Sequence, residues 1–296
     1  VTPPNGLAQF SVSNTGTLTY VTQAALASPR QLVWIDRSGK TSRIGDAARR
    51  FEDPAISPDQ RSVALTIRDE NDADIWTFDL ARGTFNRITS SPTTQFQPVW
   101  SPDSRRLFFV FEEPVFHIYS HTVDGSTAAP TRVVDGPYDV VPYAVTPDGR
   151  TLIYQRNDPY TRGAIWTLDL KNSMSRMLLD TPADEHVAAL SPDGRWLAYE
   201  SDETGRGEVY VQSFPNGGNR MRVSLNGGRD AKWSRDSRQL FYREVGKIMV
   251  ATLDGSTFSR PSLLFEAPLI GYDVAAVGRV LGVLRGTYDA AFTWTS

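Results

Sequence analysis

Hydrophobic and polar residues alternate along short segments of this chain, and the segments recur. Residues 75–80 and 165–170 each place aromatic and aliphatic side chains on one face of an extended strand. Shorter and mostly apolar segments, such as residues 107–110 and 240–242, are typical of strands buried on both faces. No stretch has helical periodicity over a useful length. The pattern therefore predicts an all-β protein.

A turn motif joins the first two strands of every unit. Its best copies read Ser-Pro-Asp-Gly-Arg, as at residues 191–195, and the proline position falls at 14, 58, 102, 147, 192, 235 and 276. A repeat of about 40–45 residues with several strands per unit is typical of a β-propeller. Serine followed by proline favours a type I turn, in which glycine adopts the positive φ that follows. Gln60, Ser104 and Ser237 replace that glycine in three copies, where we expect a strained or differently shaped turn.

The units predict a β-propeller of four-stranded antiparallel blades, forming a single domain over residues 1–296. Seven blades are preferred, and six are the alternative. The seventh blade depends on the degenerate copy of the motif at residues 275–279 and on an apolar segment at residues 290–294. The segment before Phe10 would supply its outermost strand, so that the N-terminal and C-terminal strands pair and close the ring.

Composition excludes several classes of function. The chain has a formal net charge of −3 and no cysteine. A mildly acidic chain without a basic stripe argues against a nucleic-acid partner, and the absence of cysteine excludes disulfides and thiolate metal sites. No run of about 20 apolar residues is present, so we expect no membrane insertion by this segment. The start of the chain has no signal-peptide pattern and no Met, which is typical of a mature fragment or an excised domain.

The repeated motif resembles a known family. The Ser-Pro-Asp-Gly-Arg turn, the apolar strand after it and the Ile-Trp-x-x-Asp-Leu strand are similar to the TolB-like, WD40-like repeats of bacterial β-propellers. Residues 10–13, 32–39 and 233–236 resemble the propeller segment that follows the kinase domain of some bacterial serine/threonine protein kinases. The resemblance implies an extracytoplasmic location, periplasmic or at the cell surface. Related propellers also cap prolyl-oligopeptidase-type peptidases, and the motif itself is structural.

Catalytic motifs are missing from the sequence. There is no Gly-x-Ser-x-Gly nucleophile elbow and no glycine-rich phosphate-binding motif. His117, His121 and His186 invite comparison with the three-histidine metal site of propeller-fold oligogalacturonate lyases, whose repeats this sequence resembles. However, His117 and His121 belong to a third strand and His186 to a first strand, which disfavours that grouping. The sequence therefore predicts no catalytic residue, no metal site and no cofactor.

The innermost strands offer the best binding site, because they line the central channel of a propeller. Polar residues stand about four positions before several of the turns, and they form a net acidic collar at one mouth of the channel. The binding residues expected there are Gln9, Asp53, Gln97, His186, Arg229, Asp230, Tyr272 and Asp273. An acidic collar favours a peptide, a protein or a small cationic ligand; the alternative is a hydrated rim without a ligand.

Two functions from different classes remain open at this point. The favoured one is a non-catalytic binding propeller, acting as the sensor or scaffold module of a larger bacterial protein such as a receptor-type serine/threonine kinase. The alternative is a propeller-fold enzyme, a lyase or hydrolase acting on a sugar or peptide at the channel mouth, with His186 in its pocket. A regulatory lid of a peptidase is a third interpretation.

Overall fold

The protein folds as a ring of antiparallel β-sheets whose first strands surround a central channel. The computed structural model describes residues 10–12, 18–20, 29–69, 72–126, 129–159, 162–179 and 181–285. Within them, six sheets have the same order from the innermost to the outermost strand, and each is one blade. No helix in these ranges has the length and apolar character needed to cross a membrane.

The first strands of the described residues are β1 (Phe10–Val12), β2 (Leu18–Tyr20), β3 (Arg30–Ile35) and β4 (Thr41–Arg43). Blade 1 contains β5 (Arg50–Ile56), β6 (Ser62–Arg68), β7 (Ala73–Asp79) and β8 (Thr84–Arg87). Blade 2 contains β9 (Gln95–Trp100), β10 (Arg106–Glu112), β11 (Phe116–Thr122) and β12 (Thr131–Val134). Blade 3 contains β13 (Asp139–Val145), β14 (Thr151–Asp158), β15 (Arg162–Asp169) and β16 (Met174–Met177).

Blade 4 contains β17 (Glu185–Leu190), β18 (Trp196–Ser201), β19 (Glu208–Ser213) and β20 (Met221–Arg222). Blade 5 contains β21 (Arg229–Trp233), β22 (Gln239–Glu244), β23 (Lys247–Asp254) and β24 (Thr257–Phe258), with β25 (Ser262–Glu266) also paired to β23. Blade 6 is built from β26 (Leu269–Val274) and β27 (Val280–Arg285) on the inside and from β3 and β4 on the outside. A short 3₁₀ helix, Ala276–Gly278, connects β26 to β27.

The prediction of seven blades is wrong, because the described chain forms six. Strand β27 pairs antiparallel with β3, with Val280 opposite Ile35 and Gly282 opposite Val33. The strands around the degenerate C-terminal copy of the motif, β26 and β27, therefore form one blade with β3, the third strand of the first repeat, instead of belonging to a separate blade. The first repeat's own inner hairpin, β1 with β2, forms a separate two-stranded sheet. The segments before Phe10 and at residues 290–294, which the seventh blade needed, lie outside the described residues.

The all-β architecture and the four-stranded antiparallel blades are confirmed. Successive blades pack through apolar side chains of their middle strands, which lie in separate clusters around the ring. Two tryptophans also cross between blades by hydrogen bonding. Trp100 Nε1 donates to the Ala55 carbonyl at 2.9 Å, and Trp233 Nε1 donates to the Ala189 carbonyl at 3.1 Å. Each therefore fixes its inner strand against the inner strand of the preceding blade.

The turns after the inner strands keep one shape even where glycine is replaced. Gln60, Ser104 and Ser237 adopt φ values of 60°, 60° and 61°, in the left-handed region. Their backbone N–H groups close the same turn hydrogen bond that Gly149 and Gly194 make. The expected strain is therefore present as a positive φ, whereas the turn hydrogen bond is unaltered.

Side chains at two of these positions also bond the neighbouring blade. Ser104 Oγ accepts from the Asp59 backbone N–H at 3.1 Å, and Ser237 Oγ accepts from the Asp193 backbone N–H at 3.0 Å. Each bond joins a turn to the turn of the preceding blade. The serines thus provide an inter-blade contact that glycine cannot make.

Candidate functional site

The inner strands of all six blades enclose a channel cavity of about 550 Å³. The residues that face the channel form three levels, two on the inner strands, where they are half-buried, and one on the turns that follow those strands. The mouth ring consists of Asp53, Gln97, Tyr143, Val187, Asp230 and Gly271. The middle ring consists of Ala55, Val99, Ala144, Ala189, Lys232 and Asp273. The turn ring, at the opposite end, consists of Pro58, Pro102, Pro147, Pro192 and Arg235.

A β-bulge positions the mouth ring. In each blade the register between the first and second strand shifts at this level, so that an extra residue bends the strand. Four mouth-ring residues have a positive φ there, namely Asp53 (48°), Gln97 (58°), Val187 (50°) and Asp230 (53°). Aspartate adopts this conformation more readily than most residues, whereas a β-branched valine rarely does. The surrounding ring must therefore hold Val187 in place, since an isolated strand would not.

The structure brings most of the predicted binding residues to the channel. Those that line the cavity are Asp53, Gln97, Asp230, Tyr272 and Asp273. His186 and Arg229 stand one residue before the mouth ring on their strands and lie beside the cavity instead of lining it. Gln9 falls outside the described residues. Whether these residues bind a ligand stays a prediction.

Two of these residues are engaged in holding the ring together. The Tyr272 side chain is buried, and its hydroxyl donates to the Asp230 carbonyl at 2.7 Å. Burial raises the pKa of Tyr272 well above its ordinary value, so it remains a neutral donor. Asp273 accepts backbone hydrogen bonds from Ile56 at 2.7 Å and from Val274 at 2.8 Å. Both residues therefore fix blade contacts.

Asp53 is also bonded across a blade boundary, yet burial makes its negative charge costly. Its Oδ2 accepts from Thr66 Oγ1 at 2.8 Å and from the Gln97 backbone N–H at 3.2 Å. Burial raises the pKa of Asp53, and the nearby Glu52 carboxylate adds to the effect. A cation entering the mouth would relieve both costs, because it favours the ionised form of the carboxylate.

Blades 4 and 5 contribute a chain of ionisable groups, His186, Glu200, Asp230 and Arg243, which we call the mouth cluster. His186 Nε2 lies 3.4 Å from Glu200 Oε2, and Glu200 Oε1 accepts from the Asp230 backbone N–H at 2.5 Å. Arg243 Nε lies 3.0 Å from Asp230 Oδ2. The hydrogen bond to Glu200 raises the pKa of His186. The cluster can therefore present a protonated imidazole beside an acidic rim.

Sequence reasoning missed Glu200 and Arg243, because they belong to second strands. A comparison of the repeats could nevertheless have identified these two residues. Glu200 is opposite His186 in the strand pairing, and Arg243 is opposite Arg229. The corresponding residue in blade 1 is Thr66, opposite Glu52. A charged residue at this otherwise neutral position marks blades 4 and 5.

Lys232 and Arg235 were missed as well. The turn-motif alignment places Lys232 where the inner strands of the other five blades carry alanine, valine or aspartate, and it places Arg235 at the proline position. Both line the channel cavity. Their departure from the repeat was visible in the sequence, but their direction into the channel was not.

The three histidines lie on two blades that are not adjacent. His117 and His121 are on β11 in blade 2, and His186 is on β17 in blade 4. His117 is buried between Glu113 and Asp135, with its ring nitrogens 3.5 Å from a carboxylate oxygen of each. Across the ranges that the structure describes, no group of three or more His, Asp or Glu side chains could hold a metal ion.

Two further clefts open between outer strands on the turn side. One lies between blades 2 and 3, with a volume of about 670 Å³, and the other between blades 3 and 4, with about 620 Å³. Their walls are repeated turn residues and the outer strands beside them. Of these three cavities in the described part of the chain, the channel alone receives residues from all six blades, and it is therefore the candidate functional site.

The fold and the channel define the molecule as a six-bladed β-propeller with a polar channel mouth. The family model described as PD40, TolB beta propeller domain, matches residues 9–186, and the chain belongs to this family. A search against curated proteins found no match. These matches do not show the predicted link to the propeller segment of serine/threonine kinases.

Solved structures with this fold are distant in sequence. A TolB from Agrobacterium tumefaciens is 17% identical, with a TM-score of 0.67 over 87% of this chain and 91% of that one. TolB from Acinetobacter baumannii is 16% identical, with a TM-score of 0.59 over 94% and 79%. An oligogalacturonate lyase in complex with manganese is 14% identical, with a TM-score of 0.56 over 92% and 76%. At such identities the likeness shows the fold alone.

Proposed function

We propose that this domain is a non-catalytic binding propeller, whose channel mouth takes a cationic group of a peptide, a protein or a small ligand. The observation that carries the proposal is the pair of carboxylates in the mouth ring, Asp53 and Asp230. Both line the cavity from left-handed bulge positions. The raised pKa of Asp53 supports it, because that carboxylate would gain from a positive partner.

The test uses trilysine and spermidine as probes in isothermal titration calorimetry, at low and at physiological salt. We expect Asp53→Asn and Asp230→Asn to weaken binding about tenfold each, which corresponds to about 1.4 kcal/mol. Asp254→Asn is the matched control, since Asp254 is exposed at the end of β23. Equal affinities for the wild type and both mouth variants would refute the proposal.

A second candidate function follows from the mouth cluster. His186 is partly exposed beside the channel, and its pKa is raised by Glu200, which suits a general acid in a lyase or hydrolase acting on a sugar or peptide. The neighbouring folds include a lyase and TolB proteins, so fold likeness does not decide between catalysis and binding. Turnover of an oligosaccharide or peptide library that His186→Gln abolishes would favour the enzyme. Absence of turnover by the wild type would leave binding as the function.

We further propose that the domain acts outside the cytoplasm, as a sensor or scaffold module of a larger bacterial protein such as a receptor-type serine/threonine kinase. The proposal is supported by the resemblance of residues 10–13, 32–39 and 233–236 to kinase-linked propellers. Immunoblotting of cell fractions with an antibody to this domain tests both parts. A cytoplasmic band at the mass of the isolated domain would contradict them.

A further inference from the structure

Below its mouth, the channel has two unlike walls. In blades 1 to 4, the middle ring carries Ala55, Val99, Ala144 and Ala189, and the turn ring carries four prolines. In blades 5 and 6, the same levels carry Lys232, Asp273 and Arg235. One side of the channel is therefore apolar, while the other presents two cations and one carboxylate.

Lys232 is a half-buried cation without a counter-ion. It lies in the middle ring at the level of Asp273, yet no carboxylate in the described part of the chain lies within ion-pair distance of its amine. Removing a charge from water without pairing it has a free-energy cost. An anion in the channel would reduce that cost.

Arg235 is only partly satisfied. Its Nη2 donates to the Ile56 carbonyl at 3.1 Å, and this is the one hydrogen bond that the guanidinium makes to the residues the structure describes. Nη2 is also 4.0 Å from Asp273 Oδ2, and the buried Nε has no acceptor. A guanidinium has five N–H donors in a planar fork, so most of its donor capacity is unused.

Asp273 does not neutralise both cations. Its two oxygens already accept backbone hydrogen bonds from Ile56 and Val274, and its charge is single. The charges of the middle and turn rings therefore leave one net positive charge in this half of the channel. This sign is opposite to that of the mouth ring, whose charged members are Asp53 and Asp230.

We propose that the channel binds an amphipathic organic carboxylate, with the carboxylate between Lys232 and Arg235 and the apolar part against the alanine and proline wall. The inference goes beyond the proposed function, since it adds a second class of ligand below the mouth and shares with that function only the channel as the ligand site. A cavity of about 550 Å³ has the size of common small-molecule sites. Arginine recognises carboxylates through paired N–H donors, which supplies the specificity.

The same chemistry can come from a free organic acid or from the C-terminal carboxylate of a peptide. Octanoate is the probe for the first source, with octylamine and octanamide as ligands of matched length. The peptide Val-Ala-Val with a free C-terminus is the probe for the second, with its C-terminal amide as the control. Trp100 and Trp233 line the cavity, so intrinsic fluorescence reports occupancy alongside calorimetry.

Two substitutions remove one cation each and introduce a residue type that other blades use at the same position. Arg235→Pro introduces the residue found at Pro58 and its three counterparts, and Lys232→Ala introduces the residue found at Ala55, Ala144 and Ala189. Lys247→Ala, at the exposed start of β23, is the charge-matched control. Near-ultraviolet circular dichroism confirms that each variant keeps its packed tryptophans.

We expect the wild type to prefer one of the two carboxylates over its amide by about tenfold or more, and each channel variant to lose about tenfold in affinity. Preference for octanoate alone indicates a free acid, and preference for the peptide alone indicates a C-terminus. Equal binding of carboxylate and amide forms, no binding of either carboxylate, or unchanged affinity in both channel variants would overturn the inference. Should Arg235→Pro fail to fold, Lys232→Ala decides the outcome.

Trilysine titrated into the same samples separates this inference from the proposed mouth function. Binding of trilysine that depends on Asp53 and Asp230, without carboxylate binding, overturns the inference alone. Carboxylate binding that depends on Lys232 and Arg235, without trilysine binding, supports the inference and refutes the cationic ligand at the mouth.

Discussion

The Asp273 carboxylate accepts a hydrogen bond from the Ile56 backbone N–H at 2.7 Å, and thereby joins the last blade to the first. Arg235 donates to the carbonyl of the same residue, Ile56, at 3.1 Å. Both peptide polar groups of Ile56 are thus bonded by side chains from blades 5 and 6. The turn of blade 6 is the degenerate copy of the motif, with Ala276 at the proline position. These side-chain bonds reinforce the ring where its repeat is weakest.

Replacing Asp273 should therefore destabilise the fold. Asp273→Ala leaves the Ile56 N–H without its acceptor, and we expect a loss of about 1–3 kcal/mol in the free energy of unfolding. Asp273→Asn should lose less, since its amide oxygen can still accept. Urea denaturation measures both, with Asp254→Ala as an exposed control. Identical unfolding curves for Asp273→Ala and the control would contradict this role.

Substitutions of Ser104 distinguish the free-energy cost of backbone strain from the cost of losing an inter-blade hydrogen bond. Ser104→Ala loses the bond to the Asp59 N–H while keeping a φ of 60°, so we expect a loss of about 0.5–1.5 kcal/mol. Ser104→Gly loses the same bond but tolerates the left-handed conformation, and it should be more stable than Ser104→Ala by about 1 kcal/mol. Thermal denaturation followed by circular dichroism measures the order. An alanine variant as stable as the glycine variant would show that φ imposes no strain here.

Gly271 makes room for the neighbouring blade. A Cβ added at this position would lie 2.9 Å from Pro54 Cδ, and the proline ring cannot rotate away. We expect Gly271→Ala to lower the free energy of unfolding by about 1–3 kcal/mol through overpacking at the junction of blades 6 and 1. In the control, Gly207→Ala, the nearest atom is 3.9 Å away. Equal unfolding midpoints for the two variants would exclude a tight junction.

His186 should make stability depend on pH. Its folded-state pKa is raised above the ordinary value of 6.5, chiefly by the hydrogen bond to Glu200. The stabilisation is therefore fully present below about pH 6.5 and is lost as pH rises through the raised pKa. Asp184 and Asp202 also raise this pKa, and burial opposes them.

Glu200→Gln tests this dependence, because it removes the charge while an amide oxygen can still accept from the Asp230 N–H. The stability advantage of the wild type over Glu200→Gln should shrink over the pH range that begins at about 6.5 and extends through the raised pKa of His186. Urea denaturation across that range measures it, with His121→Gln as a histidine control. Parallel pH profiles for the wild type and Glu200→Gln would refute the coupling.

Much of the site was visible in the repeats, but its chemistry was not. The turn motif located most of the mouth ring, because in five of the six described blades the mouth-ring residue stands four positions before the first residue of the turn, whereas Tyr143 stands three positions before Thr146. It could not show that Tyr272 and Asp273 bond neighbouring blades, since those partners, Asp230 and Ile56, are 42 and 217 residues away. Nor could it show that Lys232 and Arg235 share one wall of the channel with Asp273.

The sequence by itself determined the strands, their order within each blade and the turns between them, because these depend on local periodicity and on residues a few positions apart. Only the tertiary structure decided the number of blades. The hairpins at residues 10–20 and 269–285 both carry the inner-strand pattern, and either could be proposed as partner of β3. The closed ring pairs β27 with β3, since closure satisfies the open strand edges at both ends of the array. That choice depends on contacts between residues about 250 positions apart, which no local pattern encodes.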